Sequence, residues 1–192
     1  IVEREKPDYV GLSVLTGAVI KEAIYITKEI KKRSKAKIVW GGLHPTLFPE
    51  YCKIADHVIQ GEGEEKLYAL MTNTEYTAKS FVDMDTLPLP AWDLVDMKRY
   101  IMNKMWASRV LTMNTSRGCV NACAFCFNSG MKNYWRGMRS ENIYIQAKYL
   151  KDNFQFEYSV PRHKCRGNRM IAKLIVTTRA VKFRTGKAFW NA

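Results

Sequence analysis

Acidic residues are missing from residues 159–192, where nine cations (Arg162, Lys164, Arg166, Arg169, Lys173, Arg179, Lys182, Arg184 and Lys187) stand without one Asp or Glu. Setting those nine aside leaves 22 Lys and Arg against 18 acids, a balance of +4, so the formal +13 of the 192-residue chain describes its tail more than its body. The tail also lacks the organised aromatic interleaving of a single-strand binder and any recognised nucleic-acid fold, and nucleic acid is not the expected partner. Long apolar runs are lacking as well. Uncharged stretches such as residues 9–20 and 118–131 stop short of the roughly 20 residues a bilayer span needs, so no membrane span is expected. The chain begins at Ile1 and enters a strand-like run almost at once, with no initiator Met or signal peptide, as expected of a piece of a longer protein. An even set of cysteines is lacking too. There are five, and Cys119, Cys123 and Cys126 crowd into one loop where three thiols cannot pair among themselves. A disulfide framework is disfavoured, and metal or cluster binding in a reducing compartment, the cytoplasm, is expected.

What is present is a globular composition, 47% hydrophobic and 26% charged. Residues 8–15, Asp-Tyr-Val-Gly-Leu-Ser-Val-Leu, read as a strand buried on both faces. Over residues 18–33 the apolar positions Val19, Ala23, Ile26 and Ile30 recur at helical spacing, with charged residues on the remaining arc, which predicts a helix with that face buried. Lys37-Ile-Val-Trp-Gly-Gly reads as a second strand, residues 45–54 as a short helix holding a buried Cys52, residues 57–60 as a third strand, and residues 64–71 as a helix. Strands alternating with helices at this spacing predict a mainly parallel α/β sheet with crossover connections. Ligands of such sheets bind beyond the carboxyl ends of the strands. Those ends are rich in small residues: Ser13-Val-Leu-Thr-Gly17, Gly41-Gly-Leu-His-Pro45 and Gly61-Glu-Gly-Glu64.

Residues 73–108 show weak periodicity and the punctuation Leu87-Pro-Leu-Pro-Ala-Trp-Asp93, which predicts an interdomain linker after a first domain of residues 1–72. Residues 109–115 are strand-like and residues 140–154 helical, with Ser140 the expected N-cap. A second β-loop-α unit is therefore expected over residues 109–154, followed by an unrecognised basic tail, residues 155–192.

The loop of that second unit, Cys119-Val-Asn-Ala-Cys123-Ala-Phe-Cys126, spaces its thiols as C-x3-C-x2-C. Thiolates suit an iron–sulfur cluster, zinc or copper(I). A zinc site calls for a fourth ligand, and the nearest further candidates, His163 and Cys165, lie in the basic tail. A cubane has four irons, so three cysteines leave one iron open to chelate a small molecule beside an electron source.

The run from Thr115 to Asn128, with Phe125 directly before the third cysteine, resembles the cluster loop of radical S-adenosylmethionine enzymes. The order of Ser13-Val14-Leu15, Gly41-Gly42, Gly61-Glu62-Gly63, the Pro-rich stretch and the cysteine loop is similar to that of the cobalamin-binding branch of this family, over about residues 7–154. The resemblance implies a partial Rossmann-like parallel sheet of the cobalamin-binding type, then the first β/α unit of a partial TIM-type barrel. It implies cobalamin along Ser13, Val14, Leu15, Thr16, Gly41, Gly42, His44, Gly61, Glu62 and Gly63, small residues there letting the backbone approach a bulky corrin. It implies a four-iron, four-sulfur cluster (4Fe-4S) on Cys119, Cys123 and Cys126, with S-adenosylmethionine on the open iron near Phe125, cleaved by one electron to a 5′-deoxyadenosyl radical. The partners so implied are a small-molecule substrate and an electron donor such as flavodoxin or ferredoxin; the outcome is methylation, cyclisation or rearrangement. Arg136 and Arg139 resemble the basic stretch after the cluster loop, though two exposed cations are an equally good reading. His44 and His57 read as loop and strand-end residues before cobalt ligands.

Two departures accompany the resemblance. The family's Asp-x-His-x-x-Gly motif, whose His can ligate cobalt, is absent, and residues 155–192 turn basic where further β/α units with an acidic strand end are expected. A reading-frame change, or a truncation with unrelated residues appended, would account for that shift. The competing expectation is a non-catalytic fragment holding zinc at its cysteines, with a basic nucleic-acid binder a weaker third.

Overall fold

The structure, a computed structural model, describes residues 1–76, 81–105, 107–130, 134–155, 158–161, 173–177 and 180–184. The chain divides into two compact units, Ile1–Val82 and Asp83–Ala192.

In the first unit the order is α1 (Val2–Glu5), β1 (Tyr9–Ser13), α2 (Val19–Arg33), β2 (Lys37–Gly41), α3 (Leu43–Leu47), β3 (His57–Val58) and α4 (Glu64–Thr72). The strands form one parallel sheet in the order β1-β2-β3, with Tyr9 opposite Lys37, Ser13 opposite Gly41 and Val39 opposite His57. This is the parallel α/β arrangement that the alternation predicts. The core gathers Val14, Ala23, Ile38, Trp40 and Cys52. Each large apolar side chain so buried contributes about 1.5–3 kcal/mol relative to exposure.

The buried face of α2 differs from the expected one. Val19 and Ile26 are each 41% exposed, while Ala23 and Thr27 are buried and Ile20, Ile24 and Ile30 pack on the core. Both arcs are apolar at helical spacing, so periodicity does not choose between them. A buried hydrogen bond marks the arc that faces inward: the indole Nε1–H of Trp40 donates to Thr27 Oγ1 at 2.9 Å, with both residues at or near zero exposure. A buried indole N–H needs such an acceptor.

Residues 45–54, expected as one helix, form α3 and a 3₁₀ turn at Pro49–Tyr51. The break falls at Phe48 (φ −136°, ψ 57°), because a residue before proline is pushed out of the helical region. Strand β3 is two residues long rather than four, although the Ile59 N–H still donates to the Trp40 carbonyl at 2.8 Å. Asp56 pins its start: the carboxylate accepts from the Ile38 N–H at 2.8 Å and from Lys31 Nζ at 2.9 Å.

The second unit contains β4 (Met102–Lys104), β5 (Ala107–Met113), β6 (Ser116–Arg117), α5 (Phe127–Gly130), β7 (Arg136–Gly137), α6 (Ser140–Phe154), β8 (Tyr158–Pro161), β9 (Lys173–Thr177) and β10 (Ala180–Arg184). Strand β5 pairs antiparallel with β4 and parallel with β8, so β5-α6-β8 is a crossover unit. Strands β9 and β10 form a separate antiparallel pair. The segment read from sequence as an unrecognised basic tail thus contributes strand β8 to the sheet. Within residues 73–108 lie 3₁₀ turns at Trp92–Leu94 and Met97–Arg99, and buried Met97 joins Leu111, Met113, Ile143, Ala147 and Leu150 in the core of this unit.

Helix α6 is capped by side chains from elsewhere in its unit, not by Ser140, which is its first helical residue and donates to Glu141 Oε1 instead. Asp85 accepts from the Arg139 N–H at 2.8 Å and from Asn142 Nδ2 at 2.7 Å, supplying the anion that a helix N-terminus favours. At the other end Arg109 donates to the carbonyls of Phe154 and Gln155, both at 2.8 Å. These are the carbonyls a helix leaves unsatisfied, and a cation is favoured beside them.

Candidate functional site

The carboxyl ends of β1, β2 and β3 place the three glycine-bearing loops along one edge of the first unit. The first and second loops are sewn together by backbone hydrogen bonds: Val14 N–H donates to the Gly41 carbonyl at 2.8 Å, and His44 N–H to the Val14 carbonyl at 3.0 Å. Gly42 sits between them at φ +97°, and a Cβ there would lie 3.0 Å from Ser13 Oγ and 3.2 Å from both the N and O of Val14. The structure gives the small residue at Gly42 a further reason beside the expected approach to a corrin. The close neighbour is the backbone of the first loop.

Thr46 links the second loop to the third. Its hydroxyl donates to the Gly42 carbonyl at 2.6 Å and accepts the Gly61 N–H at 2.8 Å. The third loop is held further by Lys66 Nζ on the Gln60 carbonyl at 2.6 Å and by the Glu62 carboxylate, which accepts the Val82 N–H at 2.7 Å. The sequence reading takes Thr46 only as the end of the Gly41–Thr46 loop at the upper edge of the expected cobalamin site, with no role of its own. The available signal was a Thr four residues after a glycine carbonyl, a spacing at which hydroxyls bond back to the main chain.

Of the ten residues expected along this edge, Val14 is fully buried and serves the core, and His44 is 7% exposed with Nδ1 at 3.4 Å from Thr16 Oγ1 and its ring 5.5 Å from that of Phe48. Ser13, Leu15, Thr16 and Gly61 are exposed, and Gly41, Gly42, Glu62 and Gly63 are half-buried. Gly17 (φ +114°) would present an added Cβ to open space. Exposed hydroxyls and an apolar side chain beside a rim open at Gly17 fit a large group carrying amide and hydroxyl functions.

The cysteine loop leaves the second unit after β5. Its base is closed by the antiparallel pair β6/β7, with Ser116 opposite Gly137 and Arg117 opposite Arg136, and by a further bridge between Cys119 and Tyr134. A turn within the loop is closed by Cys126 N–H on the Cys123 carbonyl at 3.0 Å. Cys123 is exposed, Cys119 and Cys126 are half-buried, and none of the described cysteines is in a disulfide. Phe125 is 93% exposed. Three thiols in one closed loop have the donor chemistry of an iron–sulfur site. Among the described residues, no three His, Cys, Asp or Glu side chains stand gathered to hold a metal ion. His163 and Cys165 lie outside the described residues. Cys52, by contrast, is fully buried with Sγ donating to the Phe48 carbonyl at 3.4 Å, and burial, then the nearby Glu50 charge, push its thiol pKa up. Arg139, one of two cations read beside the loop, forms an ion pair with Asp85 at 3.2 Å. Among the described residues no helix is long and apolar enough to cross a membrane.

Comparison with known proteins gives the first unit its class. Residues 1–71 match the B12 binding domain family, so the first unit carries a B12-binding domain. Over a wider span the chain is similar to an uncharacterized methyltransferase of Pyrococcus horikoshii, 29% identical, with 83% of this chain and 39% of that protein covered. It is also similar to the anaerobic magnesium-protoporphyrin IX monomethyl ester cyclases of Rubrivivax gelatinosus (29% identical; 70% of this chain, 29% of that protein) and of Synechocystis (30% identical; 52% and 24%). The chain thus spans less than half the length of each of these curated relatives. No solved structure matches.

Proposed function

We propose that this chain is part of a cobalamin-dependent radical S-adenosylmethionine enzyme. The observation that carries the reading is a C-x3-C-x2-C loop, closed at its base by β6/β7, in a chain whose residues 1–71 match the B12 binding domain. Ser13, Leu15, Thr16, Gly17 and Gly61 would hold cobalamin at the open rim of the sheet, with Gly41, Gly42, His44, Glu62 and Gly63 shaping it from behind. Cys119, Cys123 and Cys126 would ligate a 4Fe-4S cluster, and the exposed Phe125 ring would lie near S-adenosylmethionine. Cluster and cosubstrate together supply one-electron cleavage chemistry, and cobalamin supplies a carried methyl group or a redox partner. The names of the relatives favour methyl transfer or ring formation on a small-molecule substrate, with the electron coming from a donor such as flavodoxin or ferredoxin in the cytoplasm. On this reading the crossover unit β5-α6-β8 is the opening of a partial TIM-type barrel. The stretch expected as a linker, residues 73–108, then straddles the boundary between the units at Val82 and Asp83 and gives Met97 to the core of the second.

Anaerobic reconstitution with iron and sulfide should give thiolate-to-iron absorption near about 400 nm. Cys123→Ala should abolish it. A colourless wild-type protein, or one indistinguishable from this variant, sinks the cluster assignment.

A second reading, a non-catalytic chain that binds a metal at most, is favoured by the cysteines, which among the described residues are not gathered into a metal-binding group. Reductive cleavage of S-adenosylmethionine by a monomeric, cooperatively melting chain would remove it.

A further inference from the structure

We infer that Thr46 is a positioning residue that ties the three-loop rim into one rigid edge and thereby sets its affinity for cobalamin; this rests on the cobalamin reading of the rim. The Thr46 hydroxyl uses both of its hydrogen-bonding roles, donating to the Gly42 carbonyl at 2.6 Å and accepting from the Gly61 N–H at 2.8 Å. Gly42 is itself held against the first loop, where an added Cβ would approach Ser13 and Val14 to 3.0–3.2 Å. One side chain therefore runs the connection from the first loop, through Gly42, to the third.

The third loop has reason to need it. Gly61 is exposed and has φ +71°, a left-handed conformation that glycine can also leave readily. Lys66 and Glu62 fasten the flanking positions, at the Gln60 carbonyl and the Val82 N–H. Thr46 reaches the Gly61 N–H itself, from another strand end. Because Gly61 is exposed, water replaces the lost acceptor when the hydroxyl is removed, and global stability changes little. What is lost is the preorganisation of the rim, which a bulky ligand must then supply on binding.

The test compares full-length wild type with Thr46→Val and Thr46→Ser. The readouts are hydroxocobalamin binding followed by absorbance and amide hydrogen exchange over residues 60–63 without ligand. Thr46→Val should speed exchange in that segment and weaken hydroxocobalamin binding by about five-fold, while Thr46→Ser restores both. Asp85→Asn, which removes the side-chain cap of helix α6 in the second unit, should lower the melting temperature without either effect on the rim. Unchanged exchange in Thr46→Val, or a Ser variant that behaves like Val, overturns the inference. A wild-type chain that binds no hydroxocobalamin overturns the cobalamin reading and the affinity half of this proposal, while the exchange comparison still decides whether Thr46 ties the rim.

Discussion

Replacing Gly42 with alanine should unfold the first unit more than its single methyl group suggests. Gly42 has φ +97° and ψ −161°, a region open almost only to glycine, and holding another residue there costs about 1–3 kcal/mol. The added Cβ would also lie 3.2 Å from the N and O of Val14. Val14 cannot yield freely: it is fully buried, and the same two atoms are hydrogen-bonded to the Gly41 carbonyl at 2.8 Å and the His44 N–H at 3.0 Å. Losing one of those bonds adds about 0.5–1.5 kcal/mol, for a total of roughly 1.5–4.5 kcal/mol. Against a typical stability of about 5–15 kcal/mol that is a large fraction. Gly11→Ala is the matched control, because a Cβ at Gly11 meets nothing within 4 Å and its strand backbone suits alanine. It should be neutral or stabilise by about 0.5–1 kcal/mol. Urea denaturation of the full chain, with hydrogen exchange over residues 9–15 and 38–48 to localise the change, reads both variants. A Gly42→Ala protein with the wild-type midpoint would refute the claim that the first loop demands glycine here.

Three other outcomes are expected. Thr27→Val should destabilise the first unit by about 1–3 kcal/mol by stranding the Trp40 indole N–H, and a double-mutant cycle with Trp40→Phe should recover part of that loss; additivity of the two changes would contradict the coupling. The Asp85 carboxyl is held below the ordinary carboxylate range, first by the Arg139 N–H and then by Asn142. Its contribution is therefore fully present above the unfolded-state value and is lost as pH falls through that value toward the folded one. Asp85→Asn should lower the melting temperature at neutral pH and flatten its acid dependence, and an unchanged acid limb would count against this cap. Brief maleimide treatment at neutral pH, read by mass spectrometry, should modify the exposed Cys123 and spare Cys52, whose thiol is buried and raised in pKa, until denaturant is added. Equal labelling of the two would contradict the burial of Cys52.

The alternation of strand and helix over residues 9–72, the glycine-rich strand ends and the closely spaced thiols are local patterns, and each was readable along the chain. Periodicity reports which residues share a face, because side-chain direction follows backbone geometry within a few residues. It does not say which of two apolar arcs of α2 turns inward; packing against Trp40 brings the Thr27 arc to the core while Val19 and Ile26 stay out. Nor did the sequence reveal that Asp85, not Ser140, serves the start of α6, or that residues 158–161 extend the sheet beside β5. Thr46 and Gly42 acquired their roles in the same way. Their partners lie at other strand ends, and a contact between such distant positions exists only once the sheet has brought those ends side by side.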